Sequence, residues 1–235
     1  MTAATLASGT TPSRRPMPVN ALLGVFLATL LVPFEATVVV NRDTIQDLGW
    51  LNSFQGLAVP FLANRLGAER FGLLALVWVL VGYFSLFDLG LGRALTKLVA
   101  ERLHSGDKRE VPEIVATGLA LVALLGVAGG VLVVLAGHAP LDWRGSLEGD
   151  LAVEADNALW LVGLAIPMVV LTAGLRGLLE AHQQFRLLAL VRTPGGIALF
   201  AAPCLTAWLS PRLDHAVAAI VVTRLLLLFA HGVAC

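Results

Sequence analysis

Apolar residues in this chain form long unbroken runs separated by short charged clusters. Stretches without Asp, Glu, Lys, Arg or His cover residues 16–34, 71–87, 114–137, 157–175, 193–211 and 216–223. In lipid only a helix or a closed barrel satisfies its own backbone hydrogen bonds, and about 20 apolar residues make one helical crossing. Residues 114–137 hold thirteen Leu, Ile and Val, worth roughly −5 kcal/mol of insertion free energy, so this segment inserts unaided. The stretch 71–91 holds thirteen Leu, Val and Phe. Asp88 subtracts only about 2.5–3.5 kcal/mol from it, so it inserts despite the carboxylate. Residues 216–235 are broken by Arg224 and His231 but keep the run 225–229, and read as a sixth span. The pattern predicts an all-α protein, a polytopic transmembrane helix bundle of about six spans.

Residues 48–66 fit less well, because Trp50, Asn52, Gln55, Pro60 and Asn64 interrupt their apolar positions. Charge bias decides how to count them, since Lys and Arg accumulate in short cytoplasmic loops. The connection 93–109 carries Arg93, Lys97, Arg102, Lys108 and Arg109, and 176–192 carries Arg176, Arg186 and Arg192. Both are expected inside. The loop 138–156 has Arg144 among five acids, and the turn 210–214 has only Arg212, so these are expected outside. With Arg14 and Arg15 also inside, 18–40 crosses outward and 48–66 is a re-entrant or interfacial segment. The expected organisation is a disordered cytoplasmic tail at 1–17, rich in Ala, Ser, Thr and Pro. An irregular first span with the re-entrant segment follows at 18–70, then a helix bundle at 71–235. Both termini are expected in the cytoplasm, and the first span uncleaved, because no A-x-A site follows the run after Arg14-Arg15.

Composition narrows the function. Hydrophobic residues make up 57% and charged residues 14% of 235, where a soluble domain carries roughly 25% charged. Sixteen Lys and Arg balance sixteen Asp and Glu, which leaves no basic excess for nucleic acid. Cys204 and Cys235 cannot build a disulfide framework or a Cys-based metal site, and five scattered histidines offer no metal cluster or triad. No metal, cofactor or catalytic residue is expected, and the chain is not read as an enzyme. A membrane glycosyl or phosphosugar transferase would need convergent carboxylates, and near the spans only Glu35, Asp88 and Glu180 qualify.

The informative residues are those that break the apolar rule. Asp88 and Arg93 flank two glycines, Gly90 and Gly92, where a helix loosens and both side chains reach the interface or each other. An interfacial structural pair and a substrate-path pair are equally good readings. Arg93, Lys97 and Glu101 then recur every four residues opposite Leu91, Leu95, Leu98 and Leu103, which predicts an amphipathic helix along the cytoplasmic surface. Arg176, Arg192 and Arg224 each abut or interrupt an apolar run. Snorkelling to the interface explains the first two more simply, whereas Arg224 has eight uncharged residues before it and six after. An arginine inside a bundle commonly marks a substrate path, and its fork binds phosphate through two bonds where lysine cannot. Gly126, Gly129 and Gly130 permit close helix contact, and Pro33, Pro167 and Pro203 are expected to kink their spans.

Two stretches carry a family resemblance. Residues 61–76 (FLANRLGAERFGLLAL) with 84–101 (FSLFDLGLGRALTKLVAE), and 175–192 (LRGLLEAHQQFRLLALVR), resemble the polysaccharide flippase group of the multidrug/oligosaccharidyl-lipid/polysaccharide superfamily. The likeness covers about 61–235. It implies bundles of six helices, a central cavity, and export of undecaprenyl-pyrophosphate-linked sugar units across the inner membrane. On this resemblance the chain corresponds to one lobe, the N-terminal one, of a two-lobed flippase. Its partners would be the lipid-linked glycan, membrane lipids, and a second lobe supplied by another copy or a separate polypeptide. The first helix departs from the family pattern, and residues 22–48 are instead weakly similar to the first helix of major-facilitator drug exporters. Asp88, Arg93, Arg176, Arg192 and Arg224 are then the substrate-path candidates. The alternative function is a non-transporting truncated membrane module or assembly partner in envelope polysaccharide biosynthesis.

Overall fold

The computed structural model of the chain describes residues 44–86, 91–105, 109–139, 147 and 149–235. The tail at 1–17, the span expected at 18–40 and Asp88 lie outside the described residues. Six helices follow one another: α1 (Thr44–Leu86), α2 (Leu91–Ser105), α3 (Val111–His138), α4 (Asp150–Ala181), α5 (Phe185–Leu209) and α6 (Leu213–Ala234). The described residues contain no strand. Five helical stretches have the length and hydropathy of a membrane span: Gly56–Phe84 of α1, which the bend at Gly67 divides, and α3 to α6. The expected all-α transmembrane bundle is therefore what the chain forms.

Within α1 the chain turns back on itself. Gly67 has φ 79° and ψ 168°, outside any helical region and open to glycine because it lacks Cβ. Ala58, before it, accepts a contact from the Cys204 thiol of α5 at 4.0 Å, while Trp78, after it, meets Phe200 of the same helix with ring centroids 5.1 Å apart. In a straight helix Ala58 and Trp78 would lie about 30 Å apart, far beyond the single turn separating Phe200 from Cys204. The two limbs therefore run antiparallel on either side of Gly67. Leu62 and Leu66 from one limb and Phe71 and Leu74 from the other share one buried cluster with α4 and α6. Residues 48–66, expected as a re-entrant or interfacial segment, are continuous helix and form the first limb of this hairpin.

The remaining helices alternate in direction, so their connections gather at two ends. The Gly67 bend, the start of α4 and the 210–212 turn lie together, as the ion pairs below establish. The opposite end holds α2, the start of α3, the 182–184 turn and the end of α6. Helices α3 and α4 pack antiparallel at very short range. A Cβ on Gly126 would sit 2.8 Å from Pro167 Cα, and one on Gly130 would collide with the carbonyl oxygen of Gly163. Of the small residues read from the sequence, Gly126 and Gly130 thus pack against α4, while Gly129 packs first against Phe84 of α1. Pro167 supplies no N–H to the Gly163 carbonyl four residues earlier. It is this carbonyl that faces Gly130.

The amphipathic helix expected after Asp88 is α2, with one change of face. Leu95 and Val99 are buried against Leu178, with Leu103, Ile114 and Val115 around them, while Arg93, Lys97 and Glu101 are exposed. Leu98 is 49% exposed, not part of the packed face. At 100° per residue Leu95 and Val99 differ by only 40°, so Val99 takes the place expected of Leu98.

Candidate functional site: buried and interfacial charges of the helix bundle

Charged side chains occupy two regions. At the end formed by the Gly67 bend, Glu154 of α4 is 2% exposed and takes three hydrogen bonds. Arg70 donates from Nε at 2.8 Å and from Nη2 at 3.0 Å, and the Leu213 backbone N–H donates at 2.9 Å. Such a bidentate arginine pair is the strongest geometry available to a carboxylate. One turn along, Asp214 accepts from Arg212 Nε at 3.0 Å and Nη2 at 2.9 Å, from Asn157 Nδ2 at 3.3 Å and from the His215 N–H at 3.0 Å. His138 Nε2, at the end of α3, stands 3.4 Å from Asp156. These contacts join α1, α3, α4 and α6 where four helix ends meet, and every partner is itself held.

The sequence reading missed this cluster. On the apolar pattern Glu154, Asp156 and Asp214 are acids of outside loops, and only Glu35, Asp88 and Glu180 lie near spans. The helices start earlier than the apolar runs, at Asp150 and Leu213, and so carry these acids into the bundle. A usable signal was present: each acid has a polar neighbour one helical turn or less away, Glu154 with Asn157 and Asp214 with Arg212.

The arginines read as path candidates lie toward the opposite end, at graded depths. Arg93 is exposed on α2, beside Gly92 and Thr96. The Thr96 hydroxyl donates to Gly177 O at 3.0 Å, which sets α2 against the α4 residue next to Arg176. Arg176 is partly exposed, 4.0 Å from Glu180 on the same helix face. Cys235 donates to Leu175 O at 3.6 Å, so Arg176 lies level with the end of α6. Arg192 of α5 is partly buried, and Gly195 one turn above it packs against Leu227 of α6. Arg224 is the twelfth residue of the 22 in α6, with its Nε buried. Taking Gly195 and Leu227 as level, Arg192 and Arg224 differ by about 9 Å in depth, and Arg176 lies about 16 Å from Arg224. They form a graded series from the rim to the middle of the bundle rather than one cluster. Asp88 lies outside the described residues.

At similar depth Trp78 stacks on Phe200, and its indole N–H is buried without an acceptor among the described residues. The described residues hold no group of three or more His, Cys, Asp or Glu able to bind a metal ion.

The model of one family, MatE, matches residues 50–199 of the chain. The chain belongs to the MatE family. Over 173 residues it is 24% identical to a protein of Shigella flexneri named "Putative O-antigen transporter", which covers 72% of this chain and 41% of that protein. The chain thus spans less than half the length of this relative. No solved structure matches it. This MatE chain is a multi-span membrane protein of a transporter family, and the resemblance read from residues 61–101 and 175–192 points to the same superfamily. The matched region takes in the Gly67 bend, α2, α3, α4 and the first part of α5.

Proposed function

We propose that this chain is the N-terminal lobe of a flippase that moves lipid-linked oligosaccharide units across the inner membrane, with Arg93, Arg176, Arg192 and Arg224, together with Asp88, along the substrate path. The observation that carries the reading is the position of Arg224 at the midpoint of a 22-residue span. A guanidinium at that depth is costly against lipid and is relieved by partners within the bundle, a wet interior or an anionic ligand. Graded arginines between the α2 rim and Arg224 give a phosphate-bearing headgroup successive partners as it descends. The name of the Shigella flexneri relative supports an oligosaccharide unit as cargo. On this reading the chain works in the inner membrane with both termini cytoplasmic, and its partners are the lipid-linked glycan, membrane lipids and a second lobe. One bundle forms only one wall of a two-lobed cavity, so transport on this reading requires a second lobe beside it. The second reading is a non-transporting module or assembly partner in envelope polysaccharide biosynthesis.

The test uses export in a complementing strain alongside the amount of protein in the membrane. Arg224→Ala is expected to abolish export at unchanged abundance, and Arg224→Lys to keep part of it. A structural arginine gives a different pattern: lower abundance for Arg224→Ala, restored by a compensating change at its partner. Normal export by Arg224→Ala at normal abundance removes Arg224 from the path. An intact chain that never supports export while glycan assembly still requires it favours the second reading.

A further inference from the structure

Where α2 meets α4 the two backbones touch. Gly177 of α4 has no room for a side chain, since a Cβ there would stand 2.6 Å from the Thr96 hydroxyl oxygen of α2 and 3.0 Å from the Gly92 carbonyl oxygen. The Thr96 oxygen itself lies 2.8 Å from Gly92 O and 3.0 Å from Gly177 O, one carbonyl on each helix. Both distances suit a hydroxyl and neither suits a methyl, because carbon approaches a carbonyl oxygen only to about 3.3 Å.

Apolar packing holds α2 down but does not aim it. Leu95 and Val99 are buried against Leu178, and Leu95 fills the space above Gly118 of α3, whose Cβ would come within 2.6 Å of it. Burial of that kind is non-directional, whereas the bond from Thr96 to Gly177 O is made in one register only. Register matters because of what stands on either side. Arg93 follows Gly92 and Arg176 precedes Gly177, so the contact joins the roots of two rim arginines. A slip of α2 by one residue would shift Arg93 by about 1.5 Å along the helix and turn it by about 100° around the axis.

We propose that Thr96 is a positioning residue of the substrate path: its hydroxyl fixes the seat of α2 on α4 and so holds Arg93 in register with Arg176 for a phosphate-bearing headgroup arriving at the rim. This inference rests on the transport reading above. Thr96 touches no substrate on this account and acts through Arg93.

The test is a double-mutant cycle on export in the full chain, with membrane-resident protein measured for each variant. Thr96→Val has the same shape without the hydroxyl, and is expected to lower export about tenfold at unchanged abundance, the scale of one lost hydrogen bond at a crowded contact. Thr96→Ser keeps the hydroxyl and is expected to export as wild type does. In an Arg93→Ala background Thr96→Val is expected to cost far less, because the residue it positions is gone. Full additivity there overturns the proposal, since a contact that merely holds the bundle together lowers export whether or not Arg93 is present. Normal export by Thr96→Val, an export loss that follows a loss of protein, or failure of Thr96→Ser to restore export also overturns it. Normal export by Arg93→Ala is a separate outcome: it removes Arg93 from the path, fails the transport reading at the rim and takes the inference with it. The seat is read directly by spin labels at Lys97→Cys on α2 and Gln184→Cys after α4, with Cys204 and Cys235 replaced by serine. Thr96→Val is expected to broaden the distance between the labels and Thr96→Ser to leave it sharp, and an unchanged distance in Thr96→Val overturns the proposal.

Discussion

Glu154 shows how a single carboxylate fixes three helices. Its charge is buried, and two donors from Arg70 and one from the Leu213 backbone replace the water it gave up. Removing one partner strands the other, at a typical cost of about 3–5 kcal/mol. Arg70→Ala is therefore expected to lower the thermal unfolding temperature in detergent sharply. The double variant Arg70→Met/Glu154→Met, which leaves no charge uncompensated, is expected to recover most of the loss. Equal destabilisation by the single and double changes would show that the pair acts through shape instead of charge. Gln183 offers a gain. It adopts φ 57° in the turn after α4, where its N–H donates to Glu180 O at 3.0 Å. A left-handed conformation costs a residue with Cβ about 1–2 kcal/mol, so Gln183→Gly is expected to raise stability by up to about 1 kcal/mol in the same thermal assay. At this scale the sequence exposes Arg224, whose isolation in an apolar run is visible in one dimension. It conceals Glu154, whose partner Arg70 lies 84 residues away, and shows only the local half of the Asp214 site, since Arg212 is two residues away but Asn157 is 57.

Helix positions were legible wherever the apolar run was long and uninterrupted, as in α3, because insertion free energy accumulates residue by residue. The first limb of α1 was harder to read. Its polar residues lower its hydropathy, but contact with α5 and α6 shelters part of the limb from lipid, and Leu62 and Leu66 are buried in the shared core. Hydropathy cannot register such shelter. The glycines of α3 were legible as small, yet their partner was not, since antiparallel pairing of 126 with 167 and 130 with 163 is a property of two helices. This pairing is testable. Gly130→Val would place carbon atoms on the Gly163 carbonyl, which is backbone and cannot rotate away, so α3 and α4 must separate. An overpacked contact typically costs about 1–3 kcal/mol, and Gly130→Val is expected at the upper end. Gly72→Val, on α1 with open space around its Cβ, serves as the control and is expected to lose far less. Comparable thermal losses in the two variants would mean that the close α3–α4 approach is not what holds the bundle.

Across the whole molecule, charge and chain direction agree on one orientation. Arg93, Lys97, Arg102, Arg109, Arg176 and Arg186 gather at the α2 end. Of the basic residues at the other end, Arg70 is held by Glu154 and Arg212 by Asp214. On the positive-inside bias α2 is expected in the cytoplasm and the Gly67 bend outside. Reversal at Gly67 adds a requirement that charge counting alone did not make. Ala68, beside the bend, must share a side with Asp150 at the start of α4, although the two are separated by the whole of α2 and α3. Both are exposed, as is Ser105 at the end of α2. Single cysteines at these three positions test the arrangement, after Cys204 and Cys235 are replaced by serine to remove the native thiols. In intact cells a membrane-impermeant maleimide is expected to label Ala68→Cys and Asp150→Cys, and to reach Ser105→Cys only after permeabilisation. Labelling of Ser105→Cys alone in intact cells would invert the orientation and leave the fold standing. Labelling of Ala68→Cys together with Ser105→Cys, and apart from Asp150→Cys, would mean that the chain passes through Gly67 without turning back, and the hairpin would have to be abandoned.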